Sequence, residues 1–181
     1  MKDRLKRLFG RGAQSDAVAP DALRVLLVCA GNICRSPTAE GVLRAKIKAS
    51  GLQGRVLVES AGTHGFHAGD APDPRAVQAA ANRGYDLRAL RARPVQDADF
   101  QHFHHLLAMD DNNLDWLRRN SPEAAPAQLG LLMSAARQHA GVRVVPDPYY
   151  GAPAGFERVL DLVEDACDGW VAQWQSLAPG R

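Results

Sequence analysis

Residues 24–43 read Arg-Val-Leu-Leu-Val-Cys-Ala-Gly-Asn-Ile-Cys-Arg-Ser-Pro-Thr-Ala-Glu-Gly-Val-Leu, and no other stretch restricts the fold so tightly. The apolar run Arg24–Cys29 has no polar alternation, which predicts a strand buried on both faces. Ser36 as N-cap, Pro37 at the first helical position and Glu40 in the first turn predict a helix. That helix presents Val42, Leu43 and Ile47 on one side and stops near Gly51. A buried strand that feeds a helix through so short a loop is the first half of a βαβ unit.

The alternation continues along the chain. Arg55–Glu59, His104–Met109 and Val142–Val145 read as further short buried strands, and residues 73–84, 110–120 and 127–140 as helices. The last helix, 155–177, places Phe156, Val159, Leu160, Val163, Cys167, Trp170 and Trp174 on one apolar stripe. The expected fold is a single α/β domain over residues 23–178. It has a central four-stranded parallel sheet with helices on both faces. Ligands of such sheets sit beyond the carboxyl ends of the strands.

Composition removes several classes of function. Apolar residues make up 46% and charged residues 23% of the chain, a globular balance, and no apolar run approaches the roughly 20 residues of a membrane-spanning helix. The net charge of +2 is concentrated in Lys2, Arg4, Lys6, Arg7 and Arg11, so basicity belongs to an N-terminal extension, expected to be flexible over residues 1–22. Neither a nucleic-acid partner nor stable membrane insertion is expected. Three cysteines, an odd number, without a secretory signal point to a reducing cytoplasm rather than a disulfide framework.

Cysteine is a strong nucleophile as the thiolate, which requires a positive environment. If Cys29–Arg35 wraps into a nest, the backbone N–H groups of Ala30, Gly31, Asn32, Ile33, Cys34 and Arg35 point inward. The following helix adds its N-terminal dipole. Such a ring takes a tetrahedral dianion, which makes the segment between the first strand and first helix the expected phosphate-binding loop. Gly31 and Asn32 tolerate the positive φ that a tight anion-binding loop demands, and Arg35 folds back as a bidentate clamp on phosphate oxygens. A bare Cys-x5-Arg is a weak pattern, and the following serine with the strand and helix flanks makes it specific. Cys167, on the apolar stripe, reads as inert packing.

Phosphoryl transfer to sulfur expels an oxyanion that leaves faster when an acid protonates it. Asp73 and Asp147, each followed by proline, are candidates. Capping of a helix accounts for Asp73. Asp147 lies just beyond the expected fourth strand, at the same sheet edge as Cys29, and is the better placed, with an ordinary turn aspartate as the competing reading. Tyr149 and Tyr150 are either exposed aromatics or one wall of a cleft. The histidines of "HFHH" at 102–105 read as polar surface or half-buried residues rather than metal ligands, and no metal or cofactor is expected. Trp116, Trp170 and Trp174 read as core.

The segment "VCAGNICRSP", with "SAGT" at 60–63 and "DPYYG" at 147–151, resembles the low-molecular-weight protein tyrosine phosphatases from about Arg24 to Trp174. The resemblance implies Cys29 as a nucleophile forming a phosphocysteine, Arg35 as phosphate clamp and Asp147 as the acid that later activates water. It further implies that Ser36 hydrogen-bonds the thiolate, that Ser60 supports a left-handed Asn32, and that Phe66 and Tyr149 wall the cleft, with Tyr150 beside it. Cys34 would trap an oxidised Cys29 as a disulfide. Relatives often support the asparagine with a histidine, whose place Arg83 takes here. Phosphotyrosine proteins would be the substrates, an autophosphorylating bacterial tyrosine kinase one such partner, and inorganic phosphate a product inhibitor.

Three rivals share parts of this pattern. An arsenate reductase needs further cysteines mid-chain, and none lies between Cys34 and Cys167. A protein-arginine phosphatase tends to carry threonine where Ile33 stands. A non-catalytic phosphate-binding module needs neither Cys29 nor Asp147.

Overall fold

The computed structural model describes residues 18–177. Four strands, β1 (Leu23–Cys29), β2 (Val56–Gly62), β3 (His105–Ala108) and β4 (Gln128–Leu131), form one parallel sheet in the order β2-β1-β3-β4. The helices are α1 (Arg35–Ala49), α2 (Pro74–Asn82), α3 (Asp99–His102), α4 (Asp111–Asn120) and α5 (Ala154–Leu177).

The pleat of β1 divides the core. Val25, Leu27 and Cys29 face a cluster built with Val42, Leu43 and Ile47 of α1 and Phe156, Val159, Leu160 and Val163 of α5. Leu26 and Val28 face Phe100 and Phe103 on the other side, with Leu114 and Leu117 of α4. Both faces of β1 are covered, which is why its sequence lacks alternation. Each fully buried leucine here contributes about 2–3 kcal/mol.

Two expected elements lie elsewhere. The fourth strand is Gln128–Leu131, inside the stretch expected to be a helix over 127–140, and a 3₁₀ turn at Leu132–Ala135 follows it. Val142–Val145 is not a strand. Pro146 and Pro148, which follow it, lack the N–H that a ladder needs, and only Val145 docks, its N–H donating to Met109 O at 2.8 Å. The first helix also begins one residue before the expected cap: Cys34 occupies the cap position without a side-chain bond. The Ser36 hydroxyl is committed to the loop instead.

Most of the expected N-terminal extension, residues 1–17, lies outside the described residues. Ala19 N–H donates to Gly54 O at 2.8 Å and Ala22 is buried. Among the described residues no helix is long and apolar enough to cross a membrane.

β1 has β2 on one side and β3 has β4 on the other, so the connections that leave the carboxyl ends of β1 and β3 run to opposite sides. A crevice opens at such a switch point. Gly62, at the end of β2, lets the loop after β1 approach: a Cβ there would stand 2.7 Å from Ala30 O.

Candidate active site

The loop after β1 curls around the Cys29 sulfur. Asn32 adopts φ 56°, the left-handed conformation expected of it, and its N–H donates to Cys29 Sγ at 3.2 Å, whereas Gly31 does not take the positive φ expected of it, so Asn32 alone makes the turn. Ser36 Oγ stands 3.1 Å from the same sulfur. Asn32 Nδ2 donates to both Ser36 Oγ and Ser60 Oγ at 2.9 Å, and its Oδ1 accepts the Arg93 N–H at 2.9 Å. The turn of the loop is thus pinned on three sides by one buried amide.

Behind Ser60 lies Glu40, which the sequence reading treated only as a first-turn helix residue. Ser60 donates to Glu40 Oε2 at 2.5 Å, and Arg44 pairs with Oε1 at 2.5 Å. Burial raises the Glu40 carboxyl above its ordinary range, partly offset by the Ser60 hydrogen bond and Arg44. A continuous relay runs from Arg44 through Glu40, Ser60, Asn32 and Ser36 to Cys29. Arg83 has no part in it. Its guanidinium reaches Glu157, Asp161 and Glu164 on α5 at 2.7–3.0 Å. The backbone N–H of Arg93 serves Asn32, while Arg83, the position matched to the relatives' histidine, faces α5 instead.

The Arg35 guanidinium is buried and donates in three directions. Nη1 reaches Asp110 Oδ2 at 2.5 Å and Val145 O at 3.1 Å, and Nη2 reaches Asp147 Oδ2 at 3.0 Å. Burial alone would weaken this cation, and the Cys29 sulfur with Asp110 and Asp147 more than offsets it. Three of five N–H donors are used among the described residues, so Nε–H and one Nη2–H remain, a pair suited to two phosphate oxygens. Asp110 is a further site residue that sequence reasoning missed. It caps α4 by accepting Asn113 N–H at 2.8 Å and holds Arg35 with its other oxygen. Its signal was its place, at the carboxyl end of a strand beside β1.

Asp147 is half exposed, and its Oδ1 accepts the Tyr149 N–H at 3.1 Å. Asp73 instead caps α2, accepting Arg75 N–H at 2.8 Å. A cleft of about 270 Å³ has Cys29, Arg35 and Asp147 in its lining, with Ile33, Phe66, Tyr149 and Tyr150. Phe66 stacks on His64 at 5.6 Å and Tyr150 packs edge-on to Tyr149 at 4.9 Å, so aromatic side chains frame the mouth.

The three cysteines are free thiols. Cys34 is pushed up to about 12 by burial, with Asp73, the Cys29 sulfur and Asp147 adding to it. Cys167 is fully buried on the inner face of α5, and burial pushes its thiol up as well. Of the histidines at 102–105, His104 Nδ1 accepts the Arg24 N–H at 3.0 Å, and His105 packs against Trp170 and Trp174.

The profile of the low molecular weight phosphotyrosine protein phosphatases matches residues 24–178. A low molecular weight protein-tyrosine-phosphatase of Streptomyces coelicolor is 43% identical over 160 residues, covering 87% of this chain and 97% of that relative. The low molecular weight phosphotyrosine protein phosphatase 2 of Drosophila melanogaster is 39% identical over 150 residues, covering 82% and 90%. Among solved structures, a protein tyrosine phosphatase from Entamoeba histolytica superposes with a TM-score of 0.82 at 35% identity, covering 87% of this chain and all of that one.

Proposed function

The chain belongs to the low molecular weight phosphotyrosine protein phosphatases, and on that premise we propose that it hydrolyses phosphotyrosine in proteins through a phosphocysteine on Cys29. The Cys29 thiolate attacks phosphorus in line with the departing phenolic oxygen, and Asp147 gives that oxygen its proton as the P–O bond breaks. The Asp147 carboxylate then takes a proton from water, whose oxygen attacks the phosphocysteine and releases inorganic phosphate and the thiolate. Arg35 and the loop N–H groups carry the oxygens' charge throughout. Ser36, 3.1 Å from the sulfur, donates to the thiolate when it attacks and when it leaves.

The observation that carries this reading is the convergence of Cys29, Arg35 and Asp147 on one cleft. Ile33 and the aromatic mouth suit a phenyl ring, which argues against phosphoarginine. The burial of Cys167 argues against an arsenate reductase, since that thiol has no path to the loop. Product phosphate competes for the same loop and inhibits. The partner class is a phosphotyrosine protein such as an autophosphorylating tyrosine kinase, and the compartment the cytoplasm.

Cys34 supplies a guard against peroxide. The oxidant converts the Cys29 thiolate to a sulfenic acid, and the Cys34 sulfur displaces hydroxide from it, giving a disulfide and water. The high Cys34 pKa keeps that thiol protonated during turnover.

Initial rates on phosphotyrosine, phosphoserine and phosphoarginine peptides, with an arsenate and thioredoxin control, test the substrate class. Phosphotyrosine is expected to be preferred, and Cys29→Ser to abolish turnover. A preference for phosphoarginine, or full activity in Cys29→Ser, overturns the reading.

A further inference from the structure

Asp147 rides on a loop that runs from Val145 to the start of α5. Val145 is tied at both backbone atoms, its N–H to Met109 O and its carbonyl to Arg35. Beyond it the loop is held largely by itself, through Tyr149 N–H to Asp147 Oδ1 and Gly151 N–H to Pro148 O. Between Asp147 and Gly151, two hydrogen bonds leave the loop among the described residues: Arg35 to Asp147, and Arg75 Nη2 to the Tyr149 carbonyl at 3.1 Å.

Arg75 is unusually well fixed for a half-exposed side chain. Asp73 grips it with both oxygens, at 3.0 Å from Nε and 2.7 Å from Nη2. Its guanidinium lies 4.7 Å from the Phe156 ring centre and 5.6 Å from that of Tyr149. Asp73 is itself fastened to the phosphate loop, its N–H donating to Ile33 O at 2.8 Å. A chain of contacts therefore runs from Ile33 through Asp73 and Arg75 to Tyr149, and from the Tyr149 N–H back to Asp147. The fork and its stacking set position and angle together, which a point charge does not.

We propose that Arg75 is a positioning residue, which fixes the loop bearing Asp147 over the phosphate loop and so sets how well Asp147 protonates the departing oxygen. The role rests on the phosphatase reading above and adds to it. Arg75 touches no reacting atom. It acts through the Tyr149 carbonyl, and its removal leaves Cys29, Arg35 and the nest as they are.

The test compares 4-nitrophenyl phosphate, whose leaving group needs little protonation, with phenyl phosphate, whose leaving group needs much. In Arg75→Gln, kcat/KM on phenyl phosphate is expected to fall about tenfold more than on 4-nitrophenyl phosphate, a partial loss of general-acid catalysis. Arg75→Lys is expected to behave like Arg75→Gln, because charge without the fork does not hold the carbonyl. Inhibition by inorganic phosphate, which reads the folded nest, is expected to stay within about twofold of wild type. Equal losses on both esters, no loss, restoration by lysine, or loss of phosphate inhibition each overturns the positioning role while leaving the phosphatase reading intact. A wild-type protein inert to both esters overturns the two together.

Discussion

Arg35 Nη2 and Asp147 Oδ2 stand 3.0 Å apart although 112 residues separate them in the chain. The clamp and the acid are thus in direct contact, and an incoming phosphoryl group meets a guanidinium already shared with two carboxylates. Asp110 fixes one end of it and Asp147 approaches the other. The pairing places the proton donor beside the group that orients phosphorus.

Asp147→Ala separates binding from chemistry. Turnover of an aryl phosphate is expected to fall by about 10²–10³, the share of a general acid. Phosphate inhibition is expected to persist or tighten, since a carboxylate that repels the dianion has gone. Steady-state rates and phosphate inhibition constants, measured side by side, check both halves.

Asn32 carries both a backbone requirement and hydrogen bonds, and two substitutions divide them. Asn32→Ala loses the bonds to Ser36, Ser60 and Arg93 and must also hold φ 56° with a Cβ. Asn32→Gly loses the bonds alone. The glycine variant is expected to be the more stable by about 1 kcal/mol, or roughly 2–4 °C in melting temperature. Thermal melts of the two variants decide it, and alanine equal to glycine would show that the loop relaxes.

Asp165, inside α5, braces the connection that leads towards Asp147. Its carboxylate accepts the N–H groups of Arg137, Gln138 and His139 at 2.7–3.1 Å. Burial by itself would raise this carboxyl, but those three N–H groups and the His139 ring hold it below its ordinary 3.8. A folded-state value below the unfolded one means that the stability is present above about pH 4 and is lost as pH falls through the lower folded value. Asp165→Asn is expected to cost about 1–3 kcal/mol at pH 7, by leaving buried N–H groups unpaired. The difference should shrink towards pH 2, as urea denaturation at both pH values would reveal.

Gly169, also in α5, lies against the 3₁₀ turn, where a Cβ would stand 1.8 Å from Ala135 O. Alanine gains helix propensity, roughly 1 kcal/mol. The overlap outweighs it, and Gly169→Ala is expected to be destabilised by about 2 kcal/mol net. A melting temperature unchanged or raised would contradict the packing of α5 on that turn.

What could be read from the sequence follows the range of the interactions. The nest was legible because its strand, curve and helix are contiguous, and each residue's local preference agrees with the others. β4 was misread because Gln128–Leu131 is four residues with no β-branched side chain, so only pairing to β3 makes it a strand. Val142–Val145 has the composition of a strand but no partner geometry once Pro146 and Pro148 follow. The local pattern makes Ser36 a helix cap, its commonest use, and only the family resemblance pointed its hydroxyl at the Cys29 sulfur, which claims it together with Asn32. Glu40, Asp110 and the Arg93 N–H act across 20 to 75 residues, and nothing local to them announces a partner. Arg83, matched to the relatives' histidine, gave no local sign of its partners, because three carboxylates on α5, 74 or more residues away, hold it.

The separation of 112 positions from clamp to acid also orders events during synthesis. A nascent chain that has emerged only to about residue 140 carries the nucleophile, the clamp and the whole nest, but neither Asp147 nor α5. Without α5 the apolar faces of α1 and β1 that pack in one cluster with Phe156, Val159, Leu160 and Val163 are bare, and exposed surfaces of that kind are prone to aggregate. A truncated product is therefore an inert, sticky fragment and not a substrate trap. The cell acquires its phosphatase only when the last helix closes.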